Sequence, residues 1–189
     1  MRKNDNLDRK SIIGKKGFTV KKRFSQNFLL DENIITKIVD SADIDTNTGV
    51  IEIGPGLGAL TKMILERAKF TLIYEIDRDL VPHLERYFGY SKNWSLLNKD
   101  VLKANINGDI KDVFSDVNRV VVISNLPYHI TTPIIMKFLE EVENIDTLVL
   151  MMQYEVAKRI TSTPNTKDYN ALSVIVQHQT NAKYLFKVP

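Results

Sequence analysis

Eleven residues, Ile51-Glu52-Ile53-Gly54-Pro55-Gly56-Leu57-Gly58-Ala59-Leu60-Thr61, set three glycines at alternate positions directly after an apolar run. Glycine at 54, 56 and 58 lets the backbone turn sharply from a strand into a helix and pass close to a ligand. The spacing is G-x-G-x-G, unlike the G-x-G-x-x-G dinucleotide fingerprint, and Pro55 removes a backbone N–H that a pyrophosphate would use. A ligand that brings no phosphate to the loop fits better. Glu75 ends the next apolar run, 21 residues past Gly54, where a carboxylate accepts hydrogen bonds from both hydroxyls of a ribose. An exposed strand-end acid is the bland alternative. Asp100 follows a third run and is either a turn residue or an acceptor for an adenine amino group. Taken in series at the ends of three successive strands, Gly54, Glu75 and Asp100 point to a nucleoside cofactor lying across a sheet edge.

A second constellation, Asn125-Leu126-Pro127-Tyr128, follows the run Val120 to Ile123. An exocyclic adenine amine is a poor nucleophile because its lone pair is delocalised into the ring. Acceptors that hold its two N–H groups favour a more pyramidal nitrogen with the lone pair directed at an electrophilic methyl. The Asn125 side-chain oxygen and the Leu126 carbonyl are candidates for those acceptors. Pro127 fixes the local φ, and Tyr128 offers a face on which an extruded base can stack. Such chemistry needs no acid, metal or covalent nucleophile, because positioning carries most of the rate. Asn-x-Pro is also a common turn; its place after a buried strand, downstream of the glycine loop and both carboxylates, favours the chemical reading.

These residues need a scaffold of alternating strands and helices, and the sequence reads that way from Asp31 onward. Asp31 caps a helix whose apolar face is Ile35, Ile38, Val39 and Ala42. Strands are expected at Val50 to Ile53, Thr71 to Tyr74, Trp94 to Asn98, Val120 to Ile123 and Thr147 to Met152, with a sixth at Tyr184 to Val188. The helix from Thr61 to Arg67 follows the glycine loop. The next helix buries Leu80, Leu84, Tyr87 and Phe88 and tolerates Pro82 in its first turn. The stretch before Val120 reads as a polar Asn- and Asp-rich connection. Thr132 as cap and Pro133 as first helical residue are expected to open a helix with Ile135, Phe138, Leu139 and Val142 inward. A short helix spans Glu155 to Ile160, and Leu172 to Gln179 suits helix or strand equally by pattern.

At 189 residues and 43% hydrophobic content the chain can bury one core. No apolar run approaches the roughly 18 residues of a membrane span, and no h-region follows the basic N-terminus. A soluble, cytoplasmic protein is the expectation. The absence of cysteine excludes disulfides, thiolate metal sites and a Cys nucleophile. Residues 1–24 carry nine Lys/Arg against Asp5 and Asp8, leaving 17 basic and 21 acidic residues in the remainder. A basic arm over residues 1–17 can attract a polyanion by counterion release or serve only as a solvated tail.

Over residues 18–189 the chain resembles the ribosomal RNA adenine dimethyltransferase family. Phe24-Ser25-Gln26-Asn27-Phe28-Leu29 is similar to its Gly-Gln-Asn-Phe-Leu element, and Asn125-Leu126-Pro127-Tyr128 to its acceptor tetrapeptide. Met152-Gln153-Tyr154-Glu155-Val156-Ala157-Lys158-Arg159 and Tyr169-Asn170-Ala171-Leu172-Ser173-Val174 continue the likeness, which implies a helix at Leu172. The resemblance implies a Rossmann-like class I methyltransferase: a mostly parallel sheet with helices on both faces, using S-adenosyl-L-methionine. Cofactor contacts would come from Asn27 and the Leu29 backbone, from Glu52, Gly54, Gly56 and Gly58 around the loop, and from Glu75, Asp100 and Asn125. Asn125, Leu126, Pro127 and Tyr128 would hold the target, with no metal. The implied reaction is N6-dimethylation of two adjacent adenosines near the 3′ end of small-subunit (16S) rRNA during ribosome biogenesis, on the immature small subunit.

Large-subunit enzymes of the macrolide-resistance type usually carry Ile in the tetrapeptide, so Leu126 and the Glu-Val-Ala-Lys-Arg run favour the small-subunit branch. A methyltransferase fold that only binds RNA, or an NAD-dependent oxidoreductase, are the readings from other classes; Pro55 and the glycine spacing disfavour the latter. Ser25 stands where the family usually has Gly, and Asn170 replaces a Gly, a mild exchange because Asn tolerates left-handed backbone. Family members continue past the position of Pro189 through a Phe-x-Pro-x-Pro loop, a final strand and a helical C-terminal domain. The expectation is therefore a monomeric catalytic domain without those parts, whose open sheet edge invites self-association. His83, His129 and His178 lack metal or triad spacing and are expected in surface or packing roles. Trp94, Met151 and Met152 are expected to pack.

Overall fold

The structure, a computed structural model, describes Leu29 and residues 31–188. The basic arm, Ser25 and Asn27 lie outside the described residues. Five parallel strands, β1 (Thr48–Ile53), β2 (Phe70–Tyr74), β3 (Trp94–Leu97), β4 (Arg119–Asn125) and β5 (Thr147–Met151), form one sheet in the order β3-β2-β1-β4-β5. All six residues of β1 and five of seven in β4 are buried, whereas β3 is half-buried throughout. Those near-continuous apolar centres are what a parallel sheet covered on both faces requires.

The two faces bury different side chains because strand residues alternate. Ile51, Ile53, Leu72, Tyr74, Val120 and Val122 pack under α4 (Ile106–Val113) and α5 (Thr131–Glu140). Val50, Val121, Ile123 and Val149 pack under α1 (Glu32–Asp40) and α2 (Ala59–Arg67). Each fully buried Ile, Leu or Val contributes about 1.5–3 kcal/mol relative to exposure. The Asp31 carboxylate caps α1 as expected, accepting from the N–H groups of Asn33 at 2.8 Å and Ile34 at 3.3 Å. Helix α3 (Val81–Phe88) buries Leu84 and Phe88 with Pro82 in its first turn, and Trp94 packs edge-to-face on Phe88. Helices α6 (Tyr154–Ile160) and α7 (Ala171–Gln179) share a small core with Ile135 of α5. Residues 172–179 are thus helical, and Asn170 closes a reciprocal cap with Ser173.

Three local expectations are corrected. The polar connection before β4 contains α4, capped by the Asn105 side chain, because Ile106, Ile110 and Val113 recur on one face and reach the core. Helix α5 begins at Thr131, so Pro133 is its third residue rather than its first. A helical turn at Tyr128–Ile130 leads directly into α5, and a third-position N–H has no intrahelical acceptor to lose. Tyr184 to Val188 is not a strand: it joins no ladder among the described residues, and Phe186 packs against the α1–α2 core.

Candidate functional site

Strands β1, β2 and β3 step outward in one direction from the sheet centre, while β4 and β5 step in the other. The order reverses between β1 and β4, and crevices at such switch points lie at the carboxyl ends of the strands. There the glycine loop leaves Ile53 and the tetrapeptide begins at Asn125. Two constellations some seventy positions apart therefore emerge from adjacent strands, and the buried Ser124 hydroxyl binds them by donating to the Ile53 carbonyl.

Gly54, Gly56 and Gly58 all have positive φ, at 63°, 58° and 76°. Gly58 has a second constraint, since a Cβ there would lie 2.4 Å from Phe88 Cε2. A Cβ on Gly54 would meet nothing within 4 Å, so space is open beside the start of the loop. The Gly54 N–H donates to Tyr74 O at 2.8 Å, tying the loop to β2. Across the loop, the Thr61 hydroxyl of α2 donates to Glu52 Oε2 at 2.7 Å, and both side chains are buried. The loop is thus clasped from strand to helix. Burial, and secondarily the neighbouring Glu75, push the Glu52 carboxyl up to about 8 against the Thr61 hydrogen bond.

Glu75 follows β2 and is buried rather than an exposed strand-end acid. Its N–H donates to Leu97 O at 3.0 Å, and its Oε1 accepts from the Asp77 N–H at 2.7 Å. Burial raises its carboxyl to about 7, opposed by backbone N–H groups including that of Gly56. Asp77, also buried, raises it further. Asp100 is half-buried and caps the turn Val101–Lys103, with Oδ1 accepting from Leu102 N–H at 3.0 Å. That is a turn role, and it engages one oxygen of the carboxylate. Leu29, half-buried, packs against the α1–α2 core.

On the other side of the switch point Leu126 is buried, its N–H donating to Met151 O at 3.1 Å, so the tetrapeptide is anchored to β5 as well as β4. Pro127 has φ −61° and ψ 131°, and its carbonyl accepts from Ile130 N–H and the Thr131 hydroxyl. Tyr128 is exposed. His83 stacks edge-to-face on Tyr87, with burial lowering its pKa, and no cluster of metal-ligating side chains exists among the described residues. No helix among the described residues is long and apolar enough to cross a membrane.

Sequence reasoning missed Thr61, Asp77 and Ser124. Thr61 was in view as the first helical residue after the loop; its partner was not, because only the fold turns it toward Glu52. Asp77 and Ser124 carried no pattern beyond their nearness to Glu75 and Asn125.

The model of the ribosomal RNA adenine dimethylase family matches residues 17–189. The chain belongs to that family. Among curated relatives, ribosomal RNA small subunit methyltransferase A of Bacillus pumilus is 47% identical over 180 residues, covering 95% of this chain and 62% of the relative. The protein of the same name from Alkaliphilus metalliredigens is 48% identical with the same coverage. The chain thus spans 62% of the length of these relatives. Of solved structures, a dimethyladenosine transferase from Plasmodium falciparum matches with a TM-score of 0.68 at 27% identity. That match covers 80% of this chain and 52% of the other. The 23S rRNA methyltransferase ErmE matches with a TM-score of 0.62 at 28% identity, covering 79% and 55%. A dimethyladenosine transferase and a 23S rRNA methyltransferase thus share the fold, whereas the relatives near 47% identity carry the small-subunit name.

Proposed function

We propose that this chain is the cofactor-binding and methyl-transferring part of an enzyme that dimethylates N6 of two adjacent adenosines near the 3′ end of small-subunit rRNA. The observation that carries the proposal is the junction at the switch point, where the clasped glycine loop and the Asn125–Tyr128 segment leave neighbouring strands. The relatives' common name and the Leu in the tetrapeptide favour the small-subunit substrate over the large-subunit one.

The residues fit S-adenosyl-L-methionine. Open space beside Gly54 admits a ligand, and Pro55 leaves no full pyrophosphate cradle. The buried Glu75 is an acceptor for ribose hydroxyls, and Asp100 keeps a second oxygen beyond its cap for an adenine amino group. Asn27 and Leu29 would complete the enclosure from the N-terminal side, as the family resemblance implies. Bound there, the cofactor supplies an electrophilic methyl group on a positively charged sulfur.

The chain's own part is positioning. The Asn125 side-chain oxygen and the Leu126 carbonyl accept the two N–H groups of the target amine and aim its lone pair at the methyl, while Tyr128 stacks on the extruded base. Pro127 holds the segment extended, and the Leu126 N–H bond to β5 keeps it from drifting. The amine proton released on methylation passes to solvent, and no side chain is required to hold it. Calorimetry with S-adenosyl-methionine and with NAD, followed by methyl transfer to immature small subunits, tests the proposal. Binding of NAD without response to S-adenosyl-methionine would overturn it.

A further inference from the structure

The two acids proposed for the nucleoside, Glu75 and Asp100, leave neighbouring strands at corners that are tied together. Strands β2 and β3 pair as far as Tyr74 and Leu97. Past that point a side chain continues the tie: Asn98 Nδ2 donates to the Glu75 carbonyl at 2.7 Å, while the Glu75 N–H donates to Leu97 O. The residue immediately before each acid then reaches the same partner. Tyr74, before Glu75, donates its hydroxyl to Asp109 Oδ2 at 2.9 Å, and Lys99, before Asp100, donates its ammonium to Asp109 Oδ1 at 2.9 Å.

Asp109 lies in the first turn of α4, where a helix favours negative charge, and Ile106, Ile110 and Val113 anchor that helix in the core. Tyr74 is buried, and a buried phenol needs an acceptor. Burial, and then the Asp109 carboxylate, push its pKa up and keep it a donor. One neutral acceptor would be enough to satisfy Tyr74. A carboxylate with both oxygens engaged does more, because its charge-assisted bonds hold two corners at a fixed separation. A nucleoside gripped by its ribose at one acid and by its base at the other needs that separation kept within about 0.5 Å.

We propose that Asp109 is a positioning residue for the cofactor's nucleoside: by holding Tyr74 and Lys99 together it sets the spacing of Glu75 and Asp100 without itself touching the ligand. The inference rests on the S-adenosyl-methionine-binding reading above.

The test is calorimetry of the chain and its variants with S-adenosyl-methionine and with 5′-methylthioadenosine, which carries the same nucleoside without the amino acid. Asp109→Leu keeps bulk and removes both acceptors. It should weaken both ligands by the same factor, about tenfold, while still binding one ligand per chain. Asp109→Asn can accept from Lys99 and donate to the Tyr74 oxygen, so it should restore affinity to within about threefold of the parent. Tyr74→Phe and Lys99→Met each remove one arm and should cost about threefold; Lys99 is half-exposed, so that variant tests the inference even if Asp109→Leu does not fold. Parent affinity in Asp109→Leu, or in both single-arm variants, would overturn the inference and leave the proposed function standing. Fewer binding sites at parent affinity would make Asp109 a folding residue only, and would overturn it too. A loss seen with S-adenosyl-methionine but not with 5′-methylthioadenosine would put the effect at the amino-acid end, against the inference. A parent chain that binds neither ligand would overturn the cofactor reading and the inference with it.

Discussion

The two sides of the switch point are built differently. Around β1 and β2 the carboxyl groups are buried and already bonded, Glu52 by Thr61 and Glu75 by the Asp77 N–H, and the Gly54 N–H is tied to Tyr74. Around β4 and β5 the backbone is equally fixed, through Leu126 and Ser124, yet Tyr128 reaches into solvent. A pocket for a small ligand gains from being closed and preorganised, since little must be ordered on binding. A surface for a folded RNA must stay open to it. On the proposed function, burial therefore divides the site into a cofactor half and a target half, and substitutions on the two sides should separate cleanly.

Asn125→Ala is expected to have the largest effect. In a protein extended to the length of its relatives, methyl transfer to immature small subunits should fall at least about a hundredfold while cofactor affinity stays within about tenfold. Loss of cofactor binding instead would move Asn125 into the cofactor half and break the division. Next come the glycines. Gly58→Ala forces left-handed backbone on a side chain and drives its Cβ against Phe88, so denaturant titration should show a loss of about 2–4 kcal/mol. Gly54→Ala carries the backbone cost without the clash, about 1–2 kcal/mol, and its methyl enters the space proposed for the cofactor. It should lower S-adenosyl-methionine affinity about tenfold or more. If Gly54→Ala left that affinity unchanged, the open space would not be the cofactor's.

Titration offers a third contrast. The carboxyls of Glu52 and Glu75 are raised to about 8 and about 7 by burial, from an ordinary value of 4.5. Between those limits the folded state holds protons that the unfolded chain has released, so stability should fall as pH rises from about 4.5 to about 8. Glu52→Gln keeps an acceptor for Thr61 and cannot ionise, so it should flatten much of that decline in chemical denaturation at stepped pH. A parallel decline in parent and variant would mean that Glu52 is ionised within the fold. The smallest effect is expected away from both halves. Thr71 is fully buried in β2 and its hydroxyl has no hydrogen-bond partner among the described residues, so Thr71→Val should raise stability by up to about 1 kcal/mol and leave cofactor affinity alone. A destabilised variant would indicate that the hydroxyl is satisfied by water.

Local order determined much of this protein from the sequence. Apolar runs ending at Ile53 and Tyr74, glycines at fixed offsets, and a capping Asp31 each act within a few residues, and the corresponding strands, loop and helix formed where the pattern placed them. Helix α4 escaped notice because three apolar residues among polar ones give a weak periodicity until a core claims them. The reverse error, at Tyr184 to Val188, has the same root: an apolar, β-prone run becomes a strand only where a neighbour accepts from its N–H groups and donates to its C=O groups, and it makes no ladder with β5. Residue types also proposed Glu75 and Asn125 before any fold was known. Only the tertiary structure decided that Glu52 faces Thr61, that Glu75 is buried rather than exposed, and that Gly54 and Asn125 leave adjacent strands. Strand order joins residues far apart in sequence through hydrogen bonds and burial, and those depend on which layers close over the sheet rather than on the spacing along the chain.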